Sequence, residues 1–218
     1  MIQVNKYHLP PTALIPNSPR PLLHYPGYFP TSENGSARHA HETFLKNGWE
    51  TQWIFRYGQT QRSHYHSGVH ECMAVLSGTA TIRFGVADTS EDMDENTFGD
   101  KKEQGGIELE AKAGDVFVLP AGTAHKTYNT QPSASFTLLT PGDGHHIAGG
   151  DVIKALEETE NRLSGFTMIG AYPIENAGWN SQRGGEDTGA YERVWSVPKP
   201  SADPVLGDSS EGLQGLWD

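Results

Sequence analysis

The chain contains short runs of apolar residues rich in β-branched and aromatic side chains, and glycine-containing turns separate most of them. Apolar periodicity long enough for a major helix is scarce. This pattern predicts an all-β fold of the barrel or jelly-roll type. The predicted strands are residues 51–57, 62–66, 71–76, 79–84, 107–111, 116–119, 125–128, 136–139 and 166–172.

Two segments have a helical pattern instead. Residues 36–48 are amphipathic, and Asp151 can cap a second helix over 151–164. The prolines of residues 8–30 predict an extended arm. Residues 87–106 are acidic and almost free of apolar side chains, which predicts a mobile hairpin insertion. We expect one domain over residues 1–218, with an N-terminal arm and helix (1–48), a barrel (49–174) and a C-terminal arm (175–218).

Composition narrows the classes of function. The formal net charge is −11, so there is little basic surface for nucleic acid, and we expect no nucleic-acid partner. No apolar stretch approaches the roughly 18 residues that span a bilayer, and no signal-peptide pattern is visible, so we expect a cytoplasmic protein without a membrane partner. Cys72 is the only cysteine, which excludes an internal disulfide and a multi-thiolate metal site.

Four residues with metal-binding side chains lie in two segments. His64 and His66 are two positions apart, and alternate residues of a strand share a face, so both imidazoles can point into the barrel while Tyr65 points away. Glu71 enters from the next strand after a turn. His125 opens a later strand and can complete the set. The spacing therefore predicts a metal site inside the barrel.

The two segments match, position by position, the two signature motifs of the cupin family. These motifs are G-x5-H-x-H-x4-E-x6-G over residues 58–78 and G-x5-P-x-G-x2-H-x3-N over residues 114–129. The chain therefore resembles the cupins and, through stretches such as Gly170-Ala-Tyr-Pro173, the YjlB-type monocupins. The resemblance implies a double-stranded β-helix, a jelly-roll barrel, to which the pattern above adds two short helices and extended N- and C-terminal arms. It places the family's metal ligands at His64, His66, Glu71 and His125.

Such a ligand set implies one divalent transition metal per chain, with iron as the first candidate and manganese, nickel or zinc as alternatives. Our first hypothesis is a dioxygenase-like oxygenase acting on a small polar or phenolic molecule, because the ligand set resembles that of the family's dioxygenases. Glu71 would then also be catalytic, tuning the metal or relaying a proton. A non-oxidative lyase, isomerase or cyclase is the second hypothesis. A non-catalytic small-molecule-binding protein is the third.

Counting in steps of two from the four ligands predicts further residues in the barrel lumen. Arg62, Met73 and Thr127 are the substrate-binding candidates obtained in this way. Arg62 and Arg83 are candidates to bind an anionic substrate. A surface salt bridge is the alternative role for Arg62, and filling of the barrel is the alternative for Met73.

The other histidines and the cysteine are expected to have structural or surface roles. His39 and His41 diverge on a helix, and solvent exposure is their default interpretation. The same holds for His145 and His146 in the loop of residues 142–150. His70 should lie in a turn or at the surface, and Cys72 should pack in the outer layer of the barrel. Because both arms lack a core of their own, we also expect a homodimer.

Overall fold

The computed structural model describes residues 2–30, 36–175 and 179–217. The strands are β1 (Asn5–Tyr7), β2 (Leu22–Tyr25), β3 (Trp49–Arg56), β4 (Glu71–Ser77), β5 (Thr79–Phe84), β6 (Ile107–Lys112), β7 (Val116–Leu119), β8 (His125–Gln131), β9 (Thr137–Leu138) and β10 (Thr167–Pro173). The helices are α1 (Ser36–Lys46), α2 (Met93–Thr97), α3 (Val152–Glu160), α4 (Tyr191–Trp195) and α5 (Leu213–Leu216). The all-β prediction is confirmed. The two predicted helices are α1 and α3, whereas the short helices α2, α4 and α5 were not predicted.

The strands form two antiparallel sheets. The larger sheet has the order β1-β2-β7-β4-β10-β3-β9, and the smaller has the order β6-β5-β8. Alternation along β4 separates two buried layers: Met73 and Val75 join a cluster with residues of both sheets, whereas Cys72 and Ala74 join a cluster with α1 and α3. The barrel interior thus lies between the sheets, and Cys72 faces the outer layer as its position in the strand predicts.

The Pro-rich N-terminal segment contributes strands to the larger sheet, which sequence analysis did not predict. Leu23 of β2 pairs with Val118 of β7, and β1 pairs with the other edge of β2. All four residues of β2 are buried. Pro21 and Pro26 stand directly outside the strand, so the residues between them keep the backbone N–H groups that pairing requires. The segment is therefore part of the sheet as well as an arm.

The acidic insertion of residues 87–106 differs from the bare hairpin predicted for it. Asp88 pairs with Lys102, which closes the insertion as a hairpin would. Between these residues lies α2, whose N-cap Asp92 accepts hydrogen bonds from the backbone N–H groups of Asp94 and Glu95. A side-chain cap of this kind stabilises the first turn of a helix without apolar contacts. The scarcity of apolar residues here therefore did not exclude regular structure.

The C-terminal segment packs against the barrel and the N-terminal segment of the same chain. The buried carboxylate of Asp203 accepts hydrogen bonds from the hydroxyl of Tyr25 and the backbone N–H of Val205. The indole of Trp217 donates to the carbonyl oxygen of Pro21 at 2.8 Å. The homodimer that was expected from the two arms stays a prediction. In the described parts of the chain, no helix is both long and apolar enough to cross a membrane.

Candidate metal centre

The segment with the two closely spaced histidines is not a continuous strand, so the prediction of a strand here was wrong. It makes two isolated antiparallel pairings, between His64 and His125 and between Tyr65 and Gln182. In each pairing both backbone N–H groups donate to the opposite carbonyl at 2.9 to 3.1 Å. These pairings hold the segment extended between β8 and the C-terminal arm. As a result His64 and His66 face one cavity, while Tyr65 is buried on the opposite side.

The structure brings together all four residues for which the sequence predicts metal binding. His64, His66 and His125 each offer a ring nitrogen, and these three atoms lie within 4.8 Å of one another. Glu71 begins β4, and its carboxylate oxygens lie 3.4 Å from Nε2 of His66 and 3.3 Å from Nε2 of His125. His66, His125 and Glu71 are buried. The cluster is thus a compact set of three imidazoles and one carboxylate.

Backbone carbonyl groups select the tautomer of each imidazole. In all three rings Nδ1 faces a carbonyl oxygen, which can only accept a hydrogen bond, so Nδ1 carries the proton. The Nε2 lone pair is then free to bind a metal. The carbonyl oxygens belong to Arg62, opposite His64 at 3.3 Å, to Asn180, opposite His66, and to Thr123, opposite His125 at 3.4 Å.

Burial and the central carboxylate set the charges of the site. Burial lowers the pKa of His64 well below its usual range, and the neighbouring imidazoles act in the same direction. Burial likewise lowers the pKa of His125, although Glu71 opposes it. At His66 burial is outweighed by Glu71, and the pKa is raised. Burial would raise the pKa of Glu71, but His66 and His125 hold it well below its usual range. An ionised carboxylate therefore stands beside three imidazoles, of which His64 and His125 lose a proton more readily than a free imidazole and His66 less readily.

Two buried polar atoms of the cluster show that these residues fit a cation. Nε2 of His66 and Oε2 of Glu71 have no hydrogen-bond partner among the described residues. A buried polar atom without a partner costs about 1 to 3 kcal/mol, and such atoms are rare in native proteins. A divalent transition metal accepts electron pairs from both atoms and from the other imidazoles. The donor set is therefore one that such a metal would satisfy.

A small cavity of about 110 Å³ adjoins the four residues. At roughly 30 Å³ for each water molecule in the liquid, this is the volume of three or four waters. Apart from the four candidate ligands and Gln61, its wall is aromatic. The aromatic residues are Trp53, Phe55, Tyr57, Phe136, Tyr172 and Trp179. The cavity therefore suits a small molecule with a flat apolar body.

Comparison with known proteins agrees with the two motifs. The family model described as Cupin matches residues 60–163. The uncharacterized protein YjlB of Bacillus subtilis (strain 168) is 25% identical over 221 residues, which cover 99% of this chain and 97% of YjlB. The chain belongs to the cupin superfamily. The expected likeness to YjlB-type monocupins is also confirmed.

Solved structures similar to this cupin share little sequence with it. The oxalate decarboxylase of Bacillus subtilis, studied for its Mn(II) centres, is 14% identical, with a TM-score of 0.29 and coverage of 62% of this chain and 22% of that chain. Hydroquinone 1,2-dioxygenase PnpCD, in complex with Cd²⁺ and 4-hydroxybenzonitrile, is 14% identical, with a TM-score of 0.28 and coverage of 58% of each chain. Procruciferin, the 11S globulin of Brassica napus, is 10% identical, with a TM-score of 0.28 and coverage of 62% and 21%. This cupin thus spans only about a fifth of the decarboxylase and globulin chains.

Tyr172 is a residue of this cupin's site that sequence analysis missed. It lies on β10, and its hydroxyl donates to Oε1 of Glu71 at 2.6 Å. The same hydroxyl accepts a hydrogen bond from Nε1 of Trp53 at 3.2 Å. Tyr172 therefore fixes Oε1, which also lies 3.4 Å from Nε2 of His66, and leaves Oε2 directed at His125. The sheet register that places β10 beside β4 was the missing information.

Trp179 and Asn180 were also missed, because they belong to the irregular C-terminal arm. The indole of Trp179 stacks on the ring of Tyr172 at 5.8 Å and meets that of His66 edge to face at 5.1 Å. It also stacks on His145, with ring centroids 4.0 Å apart. Asn180 supplies the carbonyl that faces Nδ1 of His66. This part of the arm therefore forms a wall of the cavity and sets one tautomer.

Arg83 is not brought to the cavity of this cupin. Its side chain is buried on the other face of β5, where Nε donates to Glu108 at 2.9 Å. The terminal nitrogens donate to the carbonyl oxygens of Asn96 at 2.9 Å and Thr97 at 2.8 Å. Arg83 thus anchors the acidic insertion. The assignment to the lumen fails because residues adjacent to Arg83 in β5, not Arg83 itself, share a face with His125.

The other three substrate-binding candidates lie at different depths. Arg62 stands outside the cavity, where it bonds to Glu91. Met73 is fully buried in the cluster between the sheets, so it fills the barrel beneath the site. Thr127 is also buried, and its hydroxyl has no partner among the described residues. Neither Met73 nor Thr127 belongs to the described cavity wall.

His41 and His70 are buried, which corrects the expectations of a solvent-exposed His41 and of a turn or surface position for His70. His41 contacts the hydroxyl of Thr51 through Nδ1 at 3.1 Å. Nδ1 of His70 accepts a hydrogen bond from the backbone N–H of Ala121 at 2.9 Å, and its Nε2 lies 3.0 Å from the carbonyl oxygen of Pro198. His70 thus joins the barrel to the C-terminal arm. His39 and His145 are exposed, as expected.

Proposed function

We propose that this cupin is a metal-dependent enzyme that oxygenates a small polar or phenolic molecule. His64, His66, His125 and Glu71 would bind one divalent transition metal, with iron as the first candidate and manganese, nickel or zinc as alternatives. The observation that carries the proposal is a pair of buried atoms without a hydrogen-bond partner among the described residues, Nε2 of His66 and Oε2 of Glu71. They lie within a set of imidazoles whose Nδ1 atoms face carbonyl oxygens.

The residues of the chain would prepare the reaction in three ways. When bound, the metal supplies positive charge and open coordination positions for a substrate or a co-substrate. The aromatic wall would hold a flat substrate body against the ligands and keep out water, which strengthens the electrostatic interactions in the cavity. Glu71, held by Tyr172 through Oε1, would tune the charge of the metal or relay a proton.

A second candidate is non-oxidative chemistry such as isomerisation or decarboxylation. The observation in its favour is the hydrogen bond of 2.6 Å between the hydroxyl of Tyr172 and the ionised Glu71 beside the aromatic cavity. A positioned carboxylate beside a hydroxyl can move protons without any change in oxidation state. Dependence of turnover on oxygen separates the two candidates.

Elemental analysis tests the metal centre directly. The wild type, purified without chelator or a metal-binding tag, should contain about one metal per chain, and His66→Ala and Glu71→Gln should lose most of it. His39→Ala, which removes an exposed imidazole on α1, is the matched control and should keep the metal. A wild type that binds no transition metal even after incubation with each candidate ion would contradict the proposal.

Oxygen uptake then tests the reaction. With a panel of small phenols, the metal-loaded wild type should consume oxygen and product formation should stop under anaerobic conditions. Undiminished anaerobic turnover would favour the non-oxidative candidate. Binding of the same molecules with no turnover by any metal-loaded form would leave a non-catalytic binding protein.

A further inference from the structure

The small cavity adjoins a wider pocket at the surface, which we call the outer pocket. Its volume is about 470 Å³. Both spaces share four wall residues: Gln61, His64, Phe136 and Trp179. The outer pocket adds Arg62 and Arg183 to this wall. A molecule that reaches the four candidate ligands from this side therefore passes or touches the two arginines.

The charge of the outer pocket is opposite to that of the protein. The chain has 27 Asp and Glu residues against 16 Lys and Arg, yet the described wall of this pocket contains two arginines and no carboxylate. A concave surface with one sign of charge attracts ligands of the opposite sign. In so acidic a protein, two cations beside a candidate metal centre favour an anionic ligand.

Arg62 is held in place but is only weakly neutralised. Its guanidinium donates to the carbonyl oxygen of Glu91 at 3.1 Å and bonds to the Glu91 carboxylate. That carboxylate is 95% exposed. An exposed ion pair contributes about 0 to 1 kcal/mol, so a ligand oxyanion can replace Glu91 at little cost.

Arg183 is the cation with more freedom to meet a ligand. Its position follows from the pairing of the preceding residue, Gln182, with Tyr65 beside the candidate ligands. Its backbone N–H donates to Glu186 at 2.8 Å. Among the described residues, no hydrogen bond or ion pair engages its guanidinium. A planar guanidinium can bind a carboxylate or another oxyanion through two parallel hydrogen bonds.

We propose that the outer pocket binds an oxyanion on the substrate, with Arg183 as the principal contact and Arg62 as the second. This inference rests on the proposed function, because it treats the small cavity as the place of reaction. The substrate class is then a small aromatic molecule with a carboxylate or similar oxyanion. The ring occupies the aromatic cavity, and the anionic group remains at its mouth.

Calorimetric titration with two probes of equal shape tests this inference. The probes are 4-hydroxybenzoate and its neutral counterpart 4-hydroxybenzamide, titrated into the full chain before and after metal removal. The wild type should bind the benzoate at least tenfold more tightly than the benzamide, and the difference should shrink at high salt. Arg183→Gln should lose most of the preference and Arg62→Gln part of it, with the affinity for the benzamide unchanged.

Arg38→Gln is the matched control, because it removes an exposed arginine on α1 that lines neither space. Its preference should equal that of the wild type. Three results would each overturn the inference. The wild type could bind both probes with equal affinity, it could bind neither detectably at millimolar concentration, or Arg183→Gln could behave like Arg38→Gln. Metal content is measured on the same samples. A wild type that contains no metal but prefers the benzoate contradicts only the proposed function. A wild type that contains metal but does not prefer the benzoate contradicts only the oxyanion site.

Discussion

The hydrogen bond from Tyr172 to Glu71 gives a sharp test of how the site is built. Tyr172→Phe removes one hydroxyl and keeps the ring that stacks on Trp179. It deletes a bond to a buried charged acceptor, which contributes about 1.5 to 3 kcal/mol, and it leaves the indole N–H of Trp53 without its acceptor, at a further cost of about 1 kcal/mol. Because such contributions do not add fully, we expect the free energy of unfolding to fall by about 3 kcal/mol.

The assay is thermal unfolding after metal removal, so that bound metal does not contribute to stability. For a domain of this size about 3 kcal/mol corresponds to a fall in Tm of roughly 6 to 12 °C. Tyr57→Phe is the control, because it removes a hydroxyl from the same wall without breaking a bond to Glu71 in the described part of the chain. If Tyr172→Phe melts within 2 °C of Tyr57→Phe, the bond does not hold Glu71 in place.

Three other perturbations test the surroundings of the site. Lys126 is fully buried and donates to both carboxylate oxygens of Asp88 at 3.0 and 3.2 Å. Lys126→Met should therefore lower the free energy of unfolding in urea by about 3 to 5 kcal/mol, and adding Asp88→Asn should restore part of that loss. A double variant no more stable than Lys126→Met would contradict this. A Cβ at Gly170 would lie 2.1 Å from the indole of Trp53, so Gly170→Ala should lower stability by about 3 kcal/mol, and an unchanged Tm would argue against the packing described. Burial would raise the pKa of Asp115, but the imidazole of His24, 3.5 Å away, and hydrogen bonds from the backbone N–H groups of Gly27 and Lys112 hold it below its usual value. The unfolded chain therefore binds this proton more readily than the folded protein, and the free energy of unfolding should fall as the pH drops through about 4. In Asp115→Asn the free energy of unfolding, measured from pH 6 to pH 3, should depend less on pH.

The sequence was most informative where local rules determine the geometry. Steps of two along an extended chain put His64 and His66 on one side, and a turn followed by β4 brings Glu71 to the same place. His125 required the second motif, because only the resemblance to cupins ties the two segments together. The strand boundaries of β5 and β7 agree with the prediction to the residue, since glycines in left-handed turns, Gly78 and Gly114, precede them closely.

What could not be predicted depends on long-range pairing or on burial of both faces of an element. All seven residues of β10 are buried, between the barrel interior on one side and the outer cluster on the other, so no alternation marks Tyr172 as facing Glu71. β2 is too short and too close to prolines to be recognised as a strand. Trp179 sits in a segment without regular structure, whose position follows from pairing with Tyr65 rather than from its own sequence. Arg83 was misplaced because the pairing of β5 with β8, which puts its neighbours on the face of His125, does not follow from the sequence.

The contribution of Asn180 to His66 has a consequence for how the protein is made. The four candidate ligands are all synthesised by residue 125, but the carbonyl that fixes the tautomer of His66 follows 55 residues later. At the usual 5 to 20 residues per second, the ribosome needs about 3 to 11 s to cover that interval. During this time a nascent barrel has its donors without the wall formed by Trp179. Tight capture of the proposed metal would therefore wait until the C-terminal arm has docked, which would tie loading of the metal to completion of the fold.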